Sequence, residues 1–347
     1  MDPARAARVK SVGLGFRVAS ASLVMLVLLG LAGCESIAVG LHLRMRLDHV
    51  PVTRLAAALA PQPALSPGGR GRLVILATTD DGRQLATVGP GHGKVLFDSF
   101  TFDAQVVQVK ADGVVTLPDD PRLSDGRAAR IHVGTVGHPE VVTDLDIPVR
   151  YDVAFATHFS GHDGYPGADG FSGTDGTAGT DGSSDLNNPS AGGNGSDGSN
   201  GGDGSNGGDG ERGQAIHVWV TLRAGAHPLL QVRVASITRD QFFLVDPAGG
   251  SLSIDANGGA GGHGGSGGRG GRGGRGGSGV PNGLSGLDGR NGFDGHRGND
   301  GAAGTIAMEV DARAQPFIGC IQLSNKSGSG RPGPSPEVHV GTVAALW

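Results

Sequence analysis

Histidine, aspartate and cysteine are the residue types here whose spacing could do chemistry. The chain has 12 histidines, and His158 and His162 stand four apart, the interval that places two side chains on one face of a helix. They fall where an apolar strand-like stretch passes into a glycine-rich one, so extended backbone keeps them apart and no metal pair is expected. Asp163, Asp169, Asp175 and Asp181 recur every six residues, roughly 19 Å apart in a polyproline-like chain. That is too far for two of them to share an ion. Solvated carboxylates are the plain reading, and calcium held between neighbouring segments is the alternative. Zinc-protease and phosphate-loop fingerprints are absent. No catalytic residue and no cofactor is therefore expected, and an enzyme is only a minor alternative.

Glycine sets the organisation. Of 66 glycines, most lie in two blocks, and within each they recur every third residue. The first block runs from Gly161 to Gly182, breaks, and restarts from Gly192 to Gly213. The second runs from Gly258 to Gly279, turns at Val280-Pro281-Asn282, and continues from Gly283 to Gly304. Each of the four runs holds eight such glycines in 22 residues. A flexible linker has no reason to match four lengths.

A period of three fits an extended helix with three residues per turn, whose all-glycine side lets another backbone approach closely. Such a helix has no internal hydrogen bonds, so its donors must be met by neighbours. In this repeat the chain resembles the polyglycine II bundles of a springtail antifreeze protein and of some phage tail adhesins. The resemblance implies a four-helix polyglycine II bundle, each member roughly 68 Å long. The third run has glycine in two of its three positions from 258 to 279 and an outward Arg269, Arg272 and Arg275 stripe, so it is the most enclosed. Collagen would need three parallel chains and many prolines, whereas Pro166 alone fills a non-glycine position. Calcium-binding nonapeptide rolls would need a recurrent apolar position, and disorder is the remaining competitor. The arginine stripe is similar to the RGG boxes of RNA-binding proteins, but it lacks interleaved aromatics for stacking. A net charge of −5 also gives no nucleic-acid footprint. Thr174, Thr177 and Thr180 make a stripe of the ice-binding kind, too small to favour that minor alternative.

The N-terminus indicates a compartment. Arg5, Arg8, Lys10 and Arg17 precede an uncharged stretch from Val18 to Gly33, which suits the apolar part of a signal peptide and is short for a spanning helix. It ends in Leu31-Ala32-Gly33-Cys34, which resembles the lipobox of bacterial lipoproteins. The resemblance implies cleavage before Cys34 and lipidation of its thiol. An uncleaved anchor helix is the alternative. Glu35 stands where an aspartate would favour inner-membrane retention, so an outer-membrane address is expected. Cys320 would then be the only free thiol, a small apolar side chain within Phe317-Ile318-Gly319-Cys320-Ile321.

The rest reads as β. Alternation from Ile37 to Leu47 marks a half-buried strand. Further apolar runs at 73–78, 84–88, 95–97, 100–110, 114–117, 129–136 and 141–159 are separated by turn signals such as Asp80-Asp81-Gly82 and Asp112-Gly113. Only Thr53–Ala60, with Leu55-Ala56-Ala57-Ala58-Leu59, hints at a helix. The expected fold is mainly β: an N-terminal antiparallel, immunoglobulin-like sandwich, the four-helix bundle, and small accessory β segments. The expected domains are a signal peptide (1–33), sandwich (34–160), first glycine pair (161–213), accessory β segment (214–257), second glycine pair (258–304) and C-terminal β segment (305–347). The two turns between runs would meet at one end as tip loops. They comprise Ser183, Ser184, Asp185, Leu186, Asn187, Asn188, Pro189, Ser190 and Ala191, with Val280, Pro281 and Asn282. The function expected is a lipid-anchored cell-envelope surface protein, a rod-like display or adhesion module whose tip loops meet an unidentified ligand. A purely structural envelope lipoprotein without a ligand is the alternative.

Overall fold

A computed structural model describes residues 44–88, 94–223, 225 and 227–347. Cys34, the leader and most of the alternating stretch from Ile37 lie outside the described residues. The chain divides into two compact units, one ending at Arg150 and the other Tyr151–Trp347.

Among its described residues the first unit holds eight strands: β1 (Val52–Ala60), β2 (Arg70–Thr79), β3 (Gln84–Ala86), β4 (Phe100–Gln105), β5 (Gln108–Val109), β6 (Val114–Thr116), β7 (Ala129–Thr135) and β8 (Val142–Ile147). They form two antiparallel sheets, one ordered β1-β2-β6-β5 with β3 also on β2, the other β4-β7-β8. Alternation drives both. Leu73, Ile75 and Ala77 of β2 and Ala129, Ile131 and Val133 of β7 are buried in one core, each large aliphatic side chain there contributing about 1.5–3 kcal/mol. The helical hint at Thr53–Ala60 is corrected: the segment is β1, paired with β2 from Arg54↔Thr78 to Ala60↔Arg72. Leu55 and Leu59 are four apart, which satisfies a two-residue period as well as a helical one, and pairing with β2 decides between them.

The second unit holds β9 (Ala154–His158), β10 (Ile216–Arg223), β11 (Leu229–Ala235), β12 (Asp240–Val245), β13 (Ser251–Asp255), β14 (Ile306–Asp311), β15 (Ile321–Ser324) and β16 (Glu337–Gly341). A five-stranded sheet runs β12-β11-β10-β14-β16, and a second sheet runs β15-β13-β9. The β10–β14, β14–β16, β13–β15 and β13–β9 pairings are parallel. Both sheets contribute to one core, with Val218, Val232, Val310, Leu252, Ile254 and Phe159 fully buried. The apolar stretch before β15 is a 3-10 turn, Gln315–Cys320, with a proline in its first turn, where a missing amide costs nothing.

The four-helix polyglycine II or collagen-like bundle is overturned. The helical elements among the described residues are three 3-10 turns, Phe97–Ser99, Pro121–Leu123 and Gln315–Cys320. The chain is mainly β, and residues 161–213 and 258–304 form neither helix nor strand beyond bends and turns at their loops. The physical reason lies in where the backbone bonds go. No bond closes a helical turn within a run; as the glycine period requires, the bonds run between the segments, leaving four extended runs cross-linked into an array.

Candidate functional site

The array is built from triplets, each opened by a glycine, so that every run has a first, second and third slot. First-slot amides of the first run donate to third-slot carbonyls of the third, from Gly164 to Ala260 O at 2.8 Å through Gly179 to Arg275 O at 2.8 Å. These two runs are parallel. The second run is likewise parallel to the fourth, its first-slot amides donating to second-slot carbonyls, Gly195 to Leu284 O and Gly210 to Asn299 O. The remaining neighbours are antiparallel. Second-slot amides of the second run donate to the first run (Gly202 to Phe171 O, 2.8 Å), and those of the third donate to the second (Gly268 to Gly202 O, 2.8 Å). First-slot amides of the fourth run donate to the third (Gly292 to Gly268 O, 2.8 Å). The second and third runs therefore each bond to all three others. A β-carbon on Gly268 or Gly271 would overlap the backbone carbonyl of Phe171 or Thr174, so here glycine is required by space.

Asparagine and aspartate complete the donor accounting. Asp163, Asp169, Asp175 and Asp181 accept from the amides of Ala260, Ser266, Arg272 and Ser278 at 2.7–2.8 Å. Asn194, Asp197, Asn200, Asp203, Asn206 and Asp209 of the second run accept from fourth-run amides, including Phe293 N at 2.8 Å from Asp203. Asp288, Asn291, Asp294 and Asp300 do the same for third-run glycines. This role went unread in the sequence. Its signal was the placement of Asn and Asp in the third slot of the first, second and fourth runs, Asn299 excepted.

At one end of the array stand the strands of its own unit: β9 leads into the first run, β10 follows the second, β13 precedes the third and β14 follows the fourth. The expected tip loops lie together at the other end. Val280 N donates to Ser190 O at 2.9 Å and Gly192 N to Pro281 O at 3.0 Å. Within the longer loop Ser190 N donates to Ser183 O, and Asp185 Oδ1 accepts from Asn187 N. Asn282 Oδ1 accepts from Gly279 N at 3.0 Å. Leu186 is 93% exposed, while Ser184, Asn188, Pro189 and Ala191 are also exposed.

Other chemistry-bearing side chains are already engaged. His158 bonds Asp255 at 2.9 Å, while His162 belongs to the first run. Arg233 pairs with Asp240 at 2.9 Å and lies 4.9 Å over the Trp219 ring, which itself stacks on His217 at 4.0 Å. His217 Nε2 is 3.1 Å from Glu309 yet makes no aligned hydrogen bond. It borders a shallow cavity of about 550 Å³ lined also by Ser236, Thr305 and Glu337. Burial pushes the half-buried Cys320 thiol upward in pKa, away from nucleophilic use. Among the described residues no group of three His, Cys, Asp or Glu side chains is placed to hold a metal ion. No protein-family model, curated protein or solved structure matches the chain.

Proposed function

We propose that this protein is a lipid-anchored component of the bacterial cell envelope that displays the loops 183–191 and 280–282 for contact with a ligand. The observation carrying the reading is the pairing of those loops through Val280 N to Ser190 O and Gly192 N to Pro281 O. Segments about 90 residues apart in sequence are thereby fixed as one surface, with Leu186 presented to solvent. Bound apolar surface would compensate its exposure. The basic leader and the Leu31-Ala32-Gly33-Cys34 sequence support export and lipidation at Cys34, with the outer membrane as the address.

Two measurements test this. Cys34→Ala should abolish fatty-acid labelling and leave the precursor uncleaved; unchanged labelling would remove the anchor. With Cys320 replaced by Ser, Asn187→Cys should react with a membrane-impermeant maleimide on intact cells. Labelling only after lysis would show that the loops are not displayed outward.

A further inference from the structure

We infer that the outward face of the second run is a binding surface for a neutral polysaccharide chain. The Phe171 ring of the first run lies over Gly202, where any side chain would displace it. Phe293 of the fourth run has its amide held by Asp203. The two phenyl groups therefore flank the second run at one level, and they are 75% and 80% exposed. Such exposure contributes almost nothing to folding, and monomeric proteins seldom present large apolar groups in ordered rows without a partner.

Between the flanking rows runs a polar floor. Each Asn and Asp there gives one oxygen to a fourth-run amide and lies at an exposed position. This order selects the occupant. A continuously apolar partner would desolvate the floor without replacing its hydrogen bonds, which is costly. A polyanion would be repelled by Asp197, Asp203 and Asp209, whereas a polycation would be attracted by those three carboxylates against the single Arg290, so poly-lysine is the competing occupant that the test separates. A chain of uncharged pyranose rings suits both parts. Its C–H faces meet the electron-rich faces of the phenyl rings, and its hydroxyls, each both donor and acceptor, meet amides and carboxylates. An extended polysaccharide is also straight over the length of a run.

This surface is separate from the displayed loops, so the two readings fail separately. The test is retention of the mature protein on microcrystalline cellulose, chitin and curdlan beads, with poly-lysine beads as a contrast. Retention is expected on at least one of the three polysaccharides. Phe171→Ala with Phe293→Ala should lower it at least fivefold without changing the thermal unfolding midpoint. Arg272→Ala, on the third run, and a Gly-Ser replacement of 184–189 should leave it unchanged. The inference is overturned by no retention on any polysaccharide, by retention indifferent to the two phenylalanines, or by retention on poly-lysine alone.

Discussion

Aspartate recurs in three runs of the array, and charge explains its spacing. Within a run no two aspartates stand closer than six residues: Asp163, Asp169, Asp175 and Asp181; Asp197, Asp203 and Asp209; Asp288, Asp294 and Asp300. Asn200 and Asn206 fill the intervening second-run positions and make the same bond. Carboxylates three residues apart would lie at most about 10 Å from each other, repelling by a few tenths of a kcal/mol in water. Amides avoid this without losing the acceptor. Asp203→Asn should thus leave stability nearly unchanged, whereas Asp203→Ala should cost about 0.5–1.5 kcal/mol in urea unfolding. Spatial need is sharper at glycine. Gly268→Val should destabilise by at least about 1–3 kcal/mol, as overpacking does, while Ser266→Val at an exposed position should stay within about 0.5 kcal/mol. Equal effects would contradict the array. In the sheet, buried Asp311 is held to a pKa of about 2, first by the Arg313 side chain and then by its amide. A folded-state pKa below the ordinary value adds stability above pH about 4 that is lost as pH falls toward 2. Asp311→Asn should flatten the acid limb of a stability–pH curve in that window, and an unaltered limb would show that the pairing has no effect.

Among the elements, what could be read depended on whether the signal was local. Run lengths, their breaks and the enclosure of the third run were visible in glycine spacing, because the backbone contact that demands glycine repeats with every triplet. The bonding pattern was not, since each Asp or Asn acceptor between runs serves an amide 15 to 97 residues away, and one sequence does not name that partner. Reading the period as helix failed because no backbone bond closes a turn within a run; the inter-run bonds it called for are present. The strands β2 and β7 announced themselves by alternation or apolar runs. In contrast, the parallel joining of β9 and β15 to β13 brings together residues from both sides of the glycine blocks, which no local pattern records. The loops 183–191 and 280–282 were readable as breaks in the period. Their meeting is best checked by spin labels at Asn187 and Asn282 with Cys320 replaced. A narrow distribution at short distance is expected, and a broad one would show the loops to be independent tethers.

For the molecule as a whole, the second unit combines a packed β core with an array that buries little side chain, so backbone bonding has to hold the array. Each such bond adds only about 0.5–1.5 kcal/mol net, but the regular register makes many of them depend on one another. Amide exchange of the glycines, resolved residue by residue by NMR, tests this most directly. First-slot amides from Gly164 to Gly179, Gly195 to Gly210 and Gly286 to Gly301, and second-slot amides from Gly262 to Gly277, donate to backbone carbonyls of other runs and should exchange slowly. Gly261 and Gly267 are held only by Asp300 and Asp294 and should be intermediate. Gly264, opposite Arg297 rather than an acceptor, should exchange fastest of these. Protection with this period, and with Gly264 as its gap, is the predicted result; uniformly fast exchange through both glycine blocks would contradict the array.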